Sequence, residues 1–126
     1  MTLEESNEKL RGLREEREEY RRLSAQKADL EEQLDQCRSR RQEAEQVLEQ
    51  EQADVDRLED KGLAYVFHTI LGDRQEKLAK ERREALAAHL RHQQAVQEET
   101  DVSARLEEIR TRWAALAGAE ERYQAA

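Results

Sequence analysis

The chain has no proline, one cysteine, one phenylalanine and one tryptophan, and each scarcity removes a class of structure. Without proline, nothing in 126 residues forces a helix to kink or stop. The lone Cys37 excludes an intrachain disulfide framework, so a reducing compartment is the expectation. Aromatic residues at 4% leave no material for a thick enclosed core. No apolar run approaches the roughly 20 residues that a membrane-spanning helix needs. The N-terminus, Met1-Thr2-Leu3-Glu4-Glu5, has neither the basic start nor the apolar stretch of a signal peptide, and a cytoplasmic protein is expected.

An excess of cations is also missing. The net charge is −8, distributed as 12 Lys and Arg against 19 Asp and Glu over residues 1–61 and 10 against 11 over 62–126. Phosphate-backbone affinity comes from clustered cations, so nucleic acid is excluded as a principal partner. What remains is rich in Ala, Glu, Leu, Arg and Gln, with 41% charged residues, the composition of long helices and coiled coils.

The one dense apolar run is Leu63-Ala64-Tyr65-Val66-Phe67-His68-Thr69-Ile70-Leu71, bracketed by Gly62 and Gly72. It lies between two heptad-patterned arms. The first opens on a capping box, Thr2-x-x-Glu5, and carries Leu13, Tyr20, Leu23, Lys27, Leu30, Leu34, Cys37, Arg41, Ala44, Leu48, Glu51, Val55 and Leu58 at three- and four-residue steps from Tyr20 onward. The second carries Leu78, Glu81, Ala85, Ala88, His92, Ala95, Glu99, Val102, Leu106, Ile109, Trp113, Leu116 and Tyr123. Gly62 suits the left-handed residue after a helix, and Asp73-x-x-Glu76 offers a second cap.

These marks predict an all-α fold: a long antiparallel two-helix coiled-coil hairpin in one domain, 1–126. Its first helix is expected over 2–61, an apolar tip with a short helix over 62–72, and its second helix over 73–123. Folding the chain at the tip pairs positions whose numbers total 136, such as Leu58 with Leu78, Leu34 with Val102, Leu30 with Leu106 and Leu23 with Trp113. Every such pair sets an a position against a d position, as antiparallel helices require. The basic stretch Arg74, Lys77, Lys80, Arg82, Arg83 then lies beside the acidic stretch Asp54, Asp56, Glu59, Asp60, which favours the hairpin over a parallel dimer of continuous helices.

Candidates for chemistry are few. His89 and His92 share one side of a helix at the i, i+3 spacing, but no third ligand accompanies them, and one inner and one surface histidine is the plainer reading. Cys37 falls at a d position, where it serves as a small hydrophobe. Carboxylates abound, but acid–base pairs need a water-restricted cleft, which two helices do not enclose. No catalytic, metal or cofactor site is expected. Arg41, Glu51, Glu81 and Glu99 interrupt the inner stripe, and Leu86 and Leu90 form a second apolar face with Ala79 and Ala87. A helix apolar on two faces needs two neighbours.

The motif Leu63-x-x-x-Phe67-x-x-x-Leu71-Gly72-x-x-x-Glu76-x-Leu78-x-Lys80-Glu81-Arg82-x-Glu84-Ala85-Leu86-Ala87-Ala88 resembles the hairpin tip of uncharacterised bacterial coiled-coil proteins, across about a fifth of the chain. The resemblance implies a hairpin and a bacterial origin and carries no assigned activity.

The expected function is therefore a non-enzymatic scaffold. It self-associates as a dimer or tetramer into a bundle of four or more helices, through Phe67, Ile70, Leu71, Leu86 and Leu90. Two alternatives are a peripheral module that inserts the tip into a membrane surface and an adaptor that accepts the helix of an unknown protein partner. The acidic stretch facing the basic one counts against the membrane.

Overall fold

The computed structural model describes the backbone of residues 2–65 and 71–126 and the side chains of residues 2–57 and 76–126. It is an all-α two-helix hairpin: α1 (Leu3–Tyr65), α2 (Leu71–Ala115) and a short α3 (Ala119–Ala125), with no strand among the described residues. The Thr2–Glu5 capping box closes the start of α1. The Glu5 amide donates to Thr2 Oγ1 at 3.1 Å, and the Thr2 amide donates to Glu5 Oε2 at 3.2 Å.

Three features of the backbone depart from the expected boundaries. α1 continues through Gly62 to Tyr65, and α2 begins at Leu71, ahead of Gly72 and Asp73. Both glycines thus lie in helical backbone. That placement costs only about 1 kcal/mol relative to alanine, which the long helices on either side absorb. The expected tip residues Phe67, His68, Thr69 and Ile70, the short tip helix, and the side chains of Leu58 and Leu71 lie outside the described residues.

The third departure is at the C-terminal end, where the expected helix to 123 is broken. α2 stops at Ala115, and the Leu116 and Ala117 amides donate back to Trp113 and Ala114 carbonyls in i→i−3 bonds. Gly118 then takes φ +84°, the one left-handed residue of the described chain, and α3 starts directly after it. Arg122 braces the break by donating from Nη1 to the Ala117 carbonyl at 3.0 Å. A Cβ at position 118 would sit 3.3 Å from Arg122 Nη1 in a backbone conformation that side chains resist. Gly118→Ala is accordingly expected to cost about 1–2 kcal/mol. Chemical denaturation checks it, and a gain in stability would show that α2 prefers to run on as one helix.

The chain divides into two compact units. Unit 1 comprises Met1–Asp35 and Asp101–Ala126, and its buried side chains are Leu23, Leu34, Leu106 and Ala119. Its cross-helix pairs include Glu16–Arg122, Glu19–Arg112, Arg21–Glu120, Ser24–Trp113 and Glu31–Arg110, which set the first half of α1 against the C-terminal part of the chain. Unit 2 comprises Gln36–Thr100 and buries Cys37, Val55, Ala85, Ala88 and Ala95. Among the described residues, leucine dominates the buried set of unit 1 and alanine that of unit 2. Since burial free energy scales with apolar area, each described buried alanine of unit 2 contributes less than a buried leucine of unit 1.

Candidate functional site

In unit 1 the largest side chains gather around Trp113. Its indole N–H donates to Ser24 Oγ at 2.9 Å, and the Ser24 hydroxyl in turn donates to the Tyr20 carbonyl at 2.8 Å. The Tyr20 and Trp113 rings stack with centroids 5.7 Å apart and planes 18° from parallel. Lys27 occupies an inner position without stranding its charge, because its ammonium lies 4.8 Å over the Trp113 ring and 2.9 Å from Glu31 Oε1. The hydrogen bond from Lys27 holds the Glu31 carboxyl below its ordinary range, against the opposing effect of desolvation. Arg17 repeats the device, its guanidinium carbon 3.8 Å from the Tyr123 ring centroid. Such contacts contribute about 0.5–1 kcal/mol each where they are exposed. This cluster ties the two long helices of unit 1 together through ring, hydroxyl and charge contacts.

Beside it, Gln26, Asp29, Leu30, Arg105, Glu108, Ile109 and Arg112 line a shallow open groove of about 350 Å³. The partly exposed Leu30 and Ile109 form its apolar residues, and its rim carries charges of both signs.

In unit 2 the charged residues of the inner stripe meet across the helices. Arg41 donates to Glu99, with Arg38 3.7 Å from the same carboxylate and Glu45 3.3 Å from Arg41. Arg40 lies 3.7 Å from Glu98. The second charged layer has one sign only. Glu51, Glu81 and Glu84 each place a carboxylate oxygen within 4.8 Å of the others, the one such group among the described residues. Glu51 Oε2 and Glu81 Oε2 are both buried and without a hydrogen-bond partner. Lys80 approaches Glu84 to 3.8 Å from one turn away.

Burial is the first cause pushing the Glu51 carboxyl above its ordinary range. The charges of Glu84, Glu81 and Asp54 follow, then the hydrogen bond with Glu84. Chemically, the trio can take up a proton between two carboxyls or offer three oxygens to a cation. A carboxyl whose folded pKa is raised binds its proton more tightly in the native than in the unfolded chain. Its contribution is therefore favourable at low pH and is lost as pH rises from the ordinary carboxylate range through the raised value. Glu51→Gln removes that loss. Thermal melts are expected to show the variant more stable than the parent at about pH 7, with the difference shrinking toward about pH 4. A difference that stays flat across the range would mean Glu51 feels no such field.

The residues singled out from the sequence separate into three sets. Leu23, Leu34 and Leu106 are buried, while Leu30, Leu78, Val102 and Trp113 are half-buried. Leu86 and Leu90 are open, at 59% and 56% exposure. Phe67, Ile70 and the side chains of Leu71 and Leu58 lie outside the described residues. His89 is exposed and His92 half-buried. Near the expected tip, Asp54 pairs with Arg57 of its own helix and Lys80 with Glu84, so these two pairs are local rather than cross-helix. Glu59, Asp60 and Arg74 fall outside the described side chains.

Sequence reading missed the pairing of the charged inner layers, the cation–ring contacts of Arg17 and Lys27, and the break at Gly118. The approach of Glu51 to Glu84 was within reach, since 51 and 84 total 135, whereas Arg41 and Glu99, at 140, meet one helical turn away from the expected register. No described helix is long and apolar enough to cross a membrane. Neither a family model, nor a curated protein, nor a solved structure matches this chain.

Proposed function

We propose that this chain is a non-enzymatic scaffold: an antiparallel two-helix coiled coil that self-associates through its apolar tip and its Leu86/Leu90 face into a bundle of four or more helices. The observation that carries the reading is the contrast on α2 between Ala85 and Ala88, buried at 9% and 2% exposure, and Leu86 and Leu90, exposed at 59% and 56%. The larger hydrophobes face solvent while alanines fill the inner face. An aliphatic side chain gains roughly 1.5–3 kcal/mol on full burial, so two leucines one turn apart supply a motive for a second neighbour. The alanine-lined core adds to it, since a thin seam leaves much of the stabilisation to be found outside the hairpin. Kinship with the bacterial coiled-coil proteins that share the tip motif belongs to the same proposal.

Sedimentation equilibrium tests it. A mass at least twice the 14.8 kDa of one chain is expected at micromolar concentration. A concentration-independent monomer would end the scaffold reading and leave the adaptor, with this face covered by another protein's helix.

A further inference from the structure

The inner stripe of α2 alters its step near the C-terminal end. Alternating intervals of three and four residues lead from Leu106 through Ile109, Trp113 and Leu116 to Glu120 and then Tyr123. The structure puts Ala119 inward instead, at 0% exposure, between the half-buried Leu116 and Tyr123. Two successive three-residue steps, Trp113 to Leu116 to Ala119, need a chain wound more tightly than an α-helix. The amides of Leu116, Ala117 and Ala119 provide it by donating to the carbonyls of Trp113, Ala114 and Leu116, and Gly118 at φ +84° lets α3 follow. The break exchanges one inward residue for another, an alanine for a glutamate.

The displaced Glu120 carboxylate accepts from both Nε and Nη2 of Arg21 on α1. Arg122 adds a second tie, from Nη2 to Glu16 at 3.4 Å. We propose that this end of the chain is a two-register element. The Arg21–Glu120 pair holds the broken form with Ala119 inward, and loss of the pair lets α2 run unbroken to Ala125 with position 120 inward. Charge selects between the two, because a carboxylate turned inward gives up its hydration.

Three observations support the second register. Ala114, Ala115, Leu116, Ala117 and Ala119 are strong helix formers, so the local sequence favours one helix and the break is imposed from α1. The pair that imposes it is modest, since the Arg21 side chain is 59% exposed, and a modest bias keeps an alternative form within reach. Arg17, over the ring of the inner Tyr123, keeps its Nε buried and without a hydrogen-bond partner. Turning Glu120 inward brings an acceptor to the side of the helix where that donor lies unused.

Glu120→Leu, which leaves the inward position nothing to desolvate, tests the proposal in the full chain. Nuclear Overhauser contacts between the α-proton of Ala114 and the Gly118 amide, and between Ala115 and Ala119, mark a continuous α-helix. They are expected in Glu120→Leu and not in the parent. Gly118→Ala gives a second readout by urea unfolding. In the parent it is expected to lower the folding equilibrium constant roughly tenfold, equivalent to about 1.4 kcal/mol. In the Glu120→Leu background it is expected to leave that constant unchanged or raise it, because position 118 is then helical. An equal loss in both backgrounds, or a Gly118 that stays left-handed in Glu120→Leu, would overturn the proposal. If Glu120→Leu fails to fold, Arg21→Gln removes the other half of the pair at an exposed site, and the same two readouts decide.

Discussion

Leu106→Glu is expected to destabilise the folded chain by on the order of 4 kcal/mol or more, the range reached when an unpaired charge replaces a buried side chain. Leu106 is 1% exposed, and its companion in unit 1, Leu23, is equally closed. A carboxylate at 106 must either give up its hydration or push the helices apart, and both routes remove the leucine contacts with it. Leu106→Ala isolates the packing part, at about 2–4 kcal/mol, because the void left by the missing methyls closes only partly. Leu10→Glu is the control. It belongs to unit 1 as well, on α1 at 42% exposure, and is expected to shift stability by no more than about 0.5 kcal/mol. Urea unfolding followed by circular dichroism measures all three. If Leu106→Glu and Leu10→Glu prove alike, the two-helix packing of unit 1 is not what holds the chain together.

The double substitution Leu86→Glu plus Leu90→Glu is expected to do the reverse: to abolish association and spare the helices. Each leucine already faces solvent in the single chain, so the hairpin has little to lose from the exchange. Where two hairpins meet on this face, as the proposed function has it, four leucines lose their apolar partners and four carboxylates of like sign are brought together. Association is expected to weaken by roughly a thousandfold, equivalent to about 4 kcal/mol. Sedimentation equilibrium would then report 14.8 kDa where the parent reports a multiple of it, with the helical signal unchanged. An undiminished mass would place the contact elsewhere, along the arms or at the tip. Together the two substitutions separate folding from assembly, because one acts on the face turned into the chain and the other on the face turned out.

The ion pairs spread along both units modulate these effects without deciding them. Every described partner but Glu99 is more than a quarter exposed, and such pairs contribute about 0–1 kcal/mol each. The Arg21–Glu120 pair is the best formed. Its guanidinium donates to both carboxylate oxygens, at 2.5 and 3.2 Å, and this hydrogen bonding holds the Glu120 carboxyl below its ordinary range. A carboxyl depressed in the folded state lends stability that is present above the ordinary carboxylate range and lost as pH falls through its lowered value. Glu51 acts with the opposite sign, so the pH dependence of the whole chain is the difference between the two kinds of site.

The sequence by itself determined the element type, the count of long helices and the inner face. Three- and four-residue spacing marks one stripe per helix, and an apolar stripe on a charged helix can only be buried against another helix. The positions read from that spacing, from Leu13 to Val55 and from Leu78 to Tyr123, are buried or half-buried wherever their side chains are described. The exposure of Leu86 and Leu90 was legible for the same reason, since they fall outside the stripe.

Only the tertiary structure decided the rest. Gly62, Gly72 and Gly118 are equivalent as letters, each able to end a helix. Yet Gly62 and Gly72 lie in helix, while Gly118 turns left-handed, where Arg122 reaches the Ala117 carbonyl and Glu16, and Glu120 reaches Arg21. Glycine permits the turn; distant side chains choose where it is taken. In the same way, four charges on the inner stripe looked like equal interruptions. Arg41 and Glu99 compensate each other, while Glu51 and Glu81 gather with a third carboxylate, Glu84, which Lys80 approaches to 3.8 Å. Heptad spacing records which face a residue occupies. It carries no term for the sign of the charge one helix away, and that sign makes one layer a clasp and the other a site that favours a proton.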